Sequence, residues 1–232
     1  MDKDVFGRAL IDYQAGKTSI PLLLHNSYGQ PEDMPTEVFF RTPDDFSELE
    51  HIALVLCDGH TLDIGAGAGS HALYLQNKGM NVTALEISPN ACQTMHMRGI
   101  ENIINADIYA HTGVQYDTLL MLMNGIGIAG QLAQLPKLLE KCKSLLKPGG
   151  QLLFDSSDIS YLYEDPAVVK PVDYHGEVRF QYEYLGNLGQ PFDWLYVDQQ
   201  ALIELAQPLG WVVQILYEDE YDQYLARMEV KG

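Results

Sequence analysis

Positive charge is scarce in this chain of 232 residues: 14 Lys and Arg stand against 32 Asp and Glu, a formal net charge of −18. Nucleic-acid binding through phosphates needs clustered Lys and Arg, so nucleic acid is excluded as a general partner. Docking on anionic lipid is disfavoured for the same reason, whereas a cationic ligand is not. Cysteine is also scarce. Cys57, Cys92 and Cys142 form no CxxC pair, and an odd, scattered set suits a reducing compartment better than a disulfide scaffold. Long hydrophobic runs are missing: the most apolar stretch, 119–130, is broken by Asn124 and several glycines. It is about half of what a membrane-spanning helix needs. The first ten residues hold two Asp and no apolar core, unlike a secretory signal. Together these features lead us to expect a cytoplasmic protein, a monomer or homodimer, with no membrane partner.

The chain has the means to bury a core. Its residues are 47% hydrophobic and only 20% charged, which excludes disorder as the main state. Short apolar runs at 61–64, 82–87, 103–106, 117–123 and 151–155 read as strands. The fourth is almost continuously apolar, as in a strand buried on both faces. Helix-period segments at 71–76, 89–97 and 132–146 lie between them, the last ending at Lys147-Pro148-Gly149-Gly150. This alternation predicts an α/β fold: a doubly wound, mostly parallel, seven-stranded sheet with helices on both faces. Residues 211–217 and 224–230 supply the last two strands, the final one antiparallel, and Asp198 caps a helix over 198–207. Residues 1–41 contain no clear strand, and 1–50 reads as an N-terminal helical cap preceding a domain over 51–232. Thr42-Pro43-Asp44-Asp45 carries a capping box that opens a helix there. An aromatic stretch at 156–196 reads as a lid or as an added strand packing on the sheet.

The most informative segment is Asp63-Ile64-Gly65-Ala66-Gly67-Ala68-Gly69-Ser70, glycines directly after a strand. Glycines there allow a tight turn and close approach of a ligand to the backbone. Glu86 follows 21 residues after Gly65, at the end of the second strand, where an acid can accept from ribose hydroxyls. The run from Gly67 to Ala72 also matches the G-x-G-x-x-A pattern of nicotinamide-dependent oxidoreductases, a weak signal alone. Two features count against a pyrophosphate: Asp63 sits just before the glycines, and no Lys or Arg occurs from Thr42 to Asn77. S-adenosylmethionine (SAM) has no phosphate, carries a sulfonium cation, and has an amino group that an Asp can receive.

The segments LDIGAGAGSHALYL, VTALEISPNA, NIINADIYA, YDTLLMLMNGIG and LLKPGGQLLFDSSD, in this order, resemble the successive motifs of class I SAM-dependent methyltransferases. The resemblance spans about residues 61–158 and implies a Rossmann-like fold with SAM as cofactor. It implies that Gly65, Ala66, Gly67 and Gly69 cradle the methionyl part, with Asp63 on its amino group. It further implies Glu86 on the ribose, Ile87 and Ile108 against the adenine, and Asp107 on the adenine amine. Asn124 falls beside the sulfonium and His71 in the first turn after the loop. Arg41, which follows Phe39-Phe40, is the expected partner of the cofactor's carboxylate.

The acceptor is less legible. No catalytic constellation stands out, and none is required when the methyl group arrives activated. Asn124-Gly125-Ile126-Gly127 departs from the Asn-Pro-Pro-Tyr pattern of amino-group methylation on DNA or protein glutamine. Asp155, Ser156 and Asp158 end the fifth strand at the edge where a substrate would sit. Asp155 and Asp158 have no His nearby, so no metal is expected. The expected activity is methyl transfer to a small molecule; the alternatives are a catalytically silent SAM-binding adaptor and the nicotinamide oxidoreductase.

Overall fold

In the computed structural model, residues 4–166 and 168–231 are described. Helix α1 (Val5–Gln14) is capped by Asp4, whose Oδ1 accepts from the Gly7 N–H at 3.0 Å. Strands β1 (Leu22–His25) and β2 (Glu32–Met34) follow, then helix α2 (Glu48–Leu56). The alternating part runs β3 (His60–Ile64), α3 (Ser70–Asn77), β4 (Asn81–Glu86), α4 (Pro89–Met97), β5 (Ile103–Asn105), β6 (Tyr116–Met121), α5 (Leu135–Leu145) and β7 (Leu146–Ser157). The chain ends with β8 (Glu177–Tyr184), β9 (Asn187–Leu188), β10 (Phe192–Leu195), α6 (Gln199–Ala206), β11 (Trp211–Glu218) and β12 (Gln223–Val230).

The main sheet has seven strands in the order β11-β12-β7-β6-β3-β4-β5. From β7 to β5 every pairing is parallel, and β12 runs antiparallel to both β7 and β11, as the alternation in sequence predicts. Strand β6 shows why its sequence is apolar throughout. Leu119 and Met121 join Leu138, Leu139 and Cys142 of α5 on one face, while Leu120 meets Ala53 of α2 and Leu75 of α3 on the other. The Lys-Pro-Gly-Gly stop ends α5 at Leu145, but those residues already belong to β7, which is far longer than its expected 151–155 core.

A second, antiparallel sheet has the order β10-β8-β1-β2, with β9 on β8. It unites residues 22–34 with 177–195, so the N-terminal cap is a helix plus a strand pair, correcting the expectation of no strand before residue 41. Strands of three or four residues carry too little alternation to be read locally. Their register comes from β8, where Leu22 pairs Tyr184. The expected helix from Thr42 is also revised. The Thr42–Asp45 capping box forms, but it closes only a 3-10 turn, Pro43–Asp45, because Phe46 and Ser47 are extended. A second box, Ser47 with Glu50, starts α2.

Helix α1 joins the two sheets. Val5 and Ala9 pack with Leu22 and Tyr184 of the small sheet, and Leu10 packs with Ala68 of the glycine loop and Ala91 of α4. Gly7 makes this approach possible: a Cβ there would lie 2.2 Å from Ser88 Oγ.

Candidate active site

Strand order reverses between β3 and β6, the position where open α/β sheets bind ligands beyond the carboxyl ends of their strands. A cavity of about 970 Å³ lies there. One side is built from the loop after β3 and the ends of β4 and β6. The other is built from α1, Val38-Phe39 and the aromatic residues of β8 and β10. Among the described residues, no Lys or Arg lines it, whereas Asp4, Asp63, Glu86, Asp107 and Asp193 do.

Asp63, at the end of β3, is buried, and its Oδ2 has no hydrogen-bond partner. Burial raises its pKa, against the opposing pull of His71 and the Ala72 N–H. An unpartnered buried carboxylate is costly unless a donor meets it. Glu86 is buried too, and its oxygens accept from the Gly67 N–H at 2.8 Å and the Ser88 N–H at 2.9 Å. Burial raises its pKa against those two bonds. Each oxygen keeps a lone pair for a ligand hydroxyl. Ile87 stands bare at the cavity, 67% exposed, opposite buried Ile108. Asp107 lines the same end, its Oδ1 taken by the Tyr109 N–H at 2.8 Å. Gly65 and Ala66 line the cavity as well. Gly67 is left-handed (φ 58°) and lines the cavity, where a Cβ on it would meet only Phe39 Cδ1 at 3.8 Å and Phe6 Cζ at 4.0 Å.

Three expected site residues sit differently. Arg41 is not part of the cavity wall. Its Nη1 and Nη2 donate to the two oxygens of Glu50 at 2.8 and 2.6 Å, so the fork expected to hold the cofactor's carboxylate holds a carboxylate of the chain. Gly69 lies behind the loop, not on the cavity: a Cβ would be 2.1 Å from Ile100 Cδ1, so this glycine serves helix packing. Asn124 also stands outside the lining. Its Nδ2 donates to Leu195 O at 3.1 Å, tying the end of β6 to β10, while Leu122, Met123 and Gly125 around it line the cavity. His71 does line it, with Nε2 2.7 Å from Glu50 Oε1.

Glu50 is the residue that the sequence reading missed; its one visible signal is the Ser47-x-x-Glu50 box. Asp155 was read as a substrate-edge acid, yet it is 1% exposed and outside the cavity. Both its oxygens accept from the Asn124 N–H at 2.9 Å, and Gln223 Nε2 donates to Oδ2 at 2.8 Å. It thus fixes the left-handed pair Met123-Asn124 that ends β6. Burial pushes its carboxyl up to about 6, more than those donors can offset. The folded state therefore holds this proton more tightly than the unfolded one. The stabilisation is full near pH 4 and is lost as pH rises through about 6, a change of roughly 3 kcal/mol. We expect Asp155→Asn to lose that slope. Urea unfolding of both proteins between pH 4 and 8 measures it, and parallel pH curves would show that Asp155 ionises freely.

Among the described residues, no group of His, Cys, Asp and Glu could hold a metal ion, and no helix is long and apolar enough to cross a membrane.

The family model described as "Methyltransferase domain" matches residues 62–154. None of the curated proteins compared with the chain matches it. Among solved structures, the chain is similar to a SAM-dependent methyltransferase from Bacteroides fragilis in complex with S-adenosyl-L-homocysteine. The two share 36% identity and a TM-score of 0.91 over 99% of this chain and 96% of that one. The CcbJ methyltransferase from Streptomyces caelestis shares the fold at 13% identity, TM-score 0.63, over 84% of this chain and 92% of that one. A SAM-dependent methyltransferase from Clostridium acetobutylicum does so at 13% identity, TM-score 0.60, over 82% and 94%. With its motifs, its cavity at the sheet's switch point and a relative more than one-third identical along almost its whole length, this chain belongs to the SAM-dependent methyltransferases.

Proposed function

We propose that the protein transfers the methyl group of SAM to a small molecule held between the glycine loop and the aromatic face of the second sheet. One observation carries this reading: the cavity at the glycine loop continues into a compartment walled by Phe180, Tyr182, Phe192, Trp194 and Tyr196. That is the concave, largely apolar shape that small-molecule sites take.

The residues fit the cofactor. The unpartnered Oδ2 of Asp63 suits an amino group, the left-handed Gly67 at the cavity admits a close backbone contact, and the lack of Lys and Arg among the described lining residues suits a ligand without phosphate. Asp63 would hold the amino group, Glu86 the ribose hydroxyls, Ile87 and Ile108 the faces of the adenine, and Asp107 its amine. SAM, when bound, supplies a methyl group already activated by its sulfonium. What remains for the chain is to align an acceptor with that methyl and exclude water, and the aromatic wall can do both.

Titration calorimetry with SAM, S-adenosylhomocysteine and NADH tests the cofactor assignment. We expect the first two to bind and NADH to bind far more weakly. NADH affinity equal to that of SAM would overturn the reading.

A further inference from the structure

We propose that the acceptor is a small amine, recognised as a cation by the aromatic wall of Tyr182, Phe192 and Trp194. The proposal rests on the reading of the site as that of a small-molecule methyltransferase and names its substrate class.

Charge is the first argument. Among the described residues, five acids and no Lys or Arg line the cavity, in a chain of net charge −18. Two of those acids, Asp63 and Glu86, are buried. An acceptor carrying a carboxylate or phosphate would lose its hydration with no counter-charge to replace it. A cation meets the opposite field.

The wall itself is the second argument. Tyr182 and Phe192 lie with ring centroids 5.4 Å apart, and Phe192 meets Trp194 edge to face at 5.9 Å and 83°. Phe6 of α1 extends the wall by stacking on Tyr182 at 5.2 Å. Phe192 and Trp194, set nearly perpendicular, present differently oriented rings to one cation. The wall is held firmly against the end of β6: a Cβ on Gly127 would lie 2.1 Å from Trp194 Nε1, so the indole rests directly on that glycine. Asn124 fixes the adjoining Leu195 by its hydrogen bond.

Third, the phenols at this end of the cavity are not bases, and the carboxylate beside them, Asp193, is engaged by Gln131 Nε2 at 3.3 Å and Arg179 Nη1 at 3.8 Å. A hydroxyl acceptor has to lose its proton as it attacks. Burial keeps Tyr182 well above its ordinary pKa and pushes Tyr196 up to about 12, so both stay protonated. His71 is on the glycine-loop side, with Nε2 engaged by Glu50. An amine bound as its ammonium first gives one proton to water, a far easier loss than a hydroxyl's because an ammonium is much the stronger acid, and the neutral nitrogen then presents its lone pair. That nitrogen bonds the methyl carbon, the carbon–sulfur bond breaks with its electron pair left on sulfur, and the positive charge passes to nitrogen. Any remaining N–H proton then leaves to water. The rings that bind a cation thus face the charge that the reaction creates.

The test uses the protein saturated with S-adenosylhomocysteine and titrated with benzyltrimethylammonium, benzyl alcohol and benzoate. We expect the cation to bind at least about tenfold more tightly than the alcohol, and benzoate to bind least. Trp194→Leu and Phe192→Leu keep apolar bulk but remove a π face. In whichever of the two retains a cooperative thermal transition, the cation should weaken by about tenfold while the alcohol barely changes. Benzoate binding as well as the cation, or equal weakening of cation and alcohol, would overturn the amine. Failure of S-adenosylhomocysteine to bind would instead overturn the methyltransferase reading beneath it.

Discussion

Glu50→Ala is expected to lower folding stability at pH 7 by about 3–5 kcal/mol, the range for leaving a buried ion pair without one partner. Glu50 is 5% exposed and sits where three segments meet. Arg41 reaches it with both Nη atoms, His71 Nε2 lies 2.7 Å away, and the Ser47 N–H donates at 2.8 Å. Removing the carboxylate strands the guanidinium of Arg41, whose side chain is only 23% exposed, and undoes the box that starts α2. Burial alone would raise the Glu50 pKa, but the bonds from His71, Arg41 and Ser47 outweigh it and bring it to about 2. A depressed folded pKa means that the stabilisation is present above about pH 4.5 and is lost as pH falls toward 2. The gap between the wild type and Glu50→Ala in urea unfolding should therefore narrow from pH 7 to pH 2.5. A gap below about 1 kcal/mol at pH 7 would place Glu50 among ordinary surface ion pairs. A gap that ignores pH would make its role packing alone.

The same cluster shows where sequence reading reaches its limit. From β3 to β7 each element announces itself locally: an apolar run, a glycine turn, a cap, a Pro-Gly stop. Asp63 and Glu86 could be placed at the cavity because each stands at the end of one strand, and the topology brings strand ends together. Arg41 could not be resolved that way. A guanidinium fork takes any carboxylate, and the choice between the cofactor's and Glu50's depends on how residues 36–46 fold over α2. Strands β1 and β2 were hidden for a related reason. Glu32 and Asp33 are exposed and β1 is four residues long, so neither shows a period, and the partner β8 lies some 150 residues further along. The aromatic stretch at 156–196 is plain in the sequence, but its place depends on β10 leaning on Gly127, a contact that no local pattern encodes.

The glycine loop carries the second large effect, because its glycines look alike in sequence and differ in what they face. Gly67 and Gly69 are both left-handed, so an alanine at either costs about 1–2 kcal/mol in backbone strain. Beyond that the two diverge. At Gly67 the new Cβ points to the cavity side without a clash, in ordinary contact with Phe39 Cδ1 at 3.8 Å and Phe6 Cζ at 4.0 Å. At Gly69 it meets Ile100 Cδ1 at 2.1 Å and Met95 Cγ at 2.9 Å, inside the packing of α3 against α4 and the turn after it. Overpacking there adds roughly 1–3 kcal/mol. Gly67→Ala should thus fold with a small loss of stability and bind S-adenosylhomocysteine at least about tenfold more weakly, because the methyl group occupies the space of a close backbone contact. Gly69→Ala should lose about 2–5 kcal/mol of stability, with its residual folded fraction binding the ligand far better than Gly67→Ala does. Thermal melts and calorimetric titrations of the two variants separate the cases. If the ligand affinities fall in the opposite order, Gly69 rather than Gly67 makes the close approach to the cofactor.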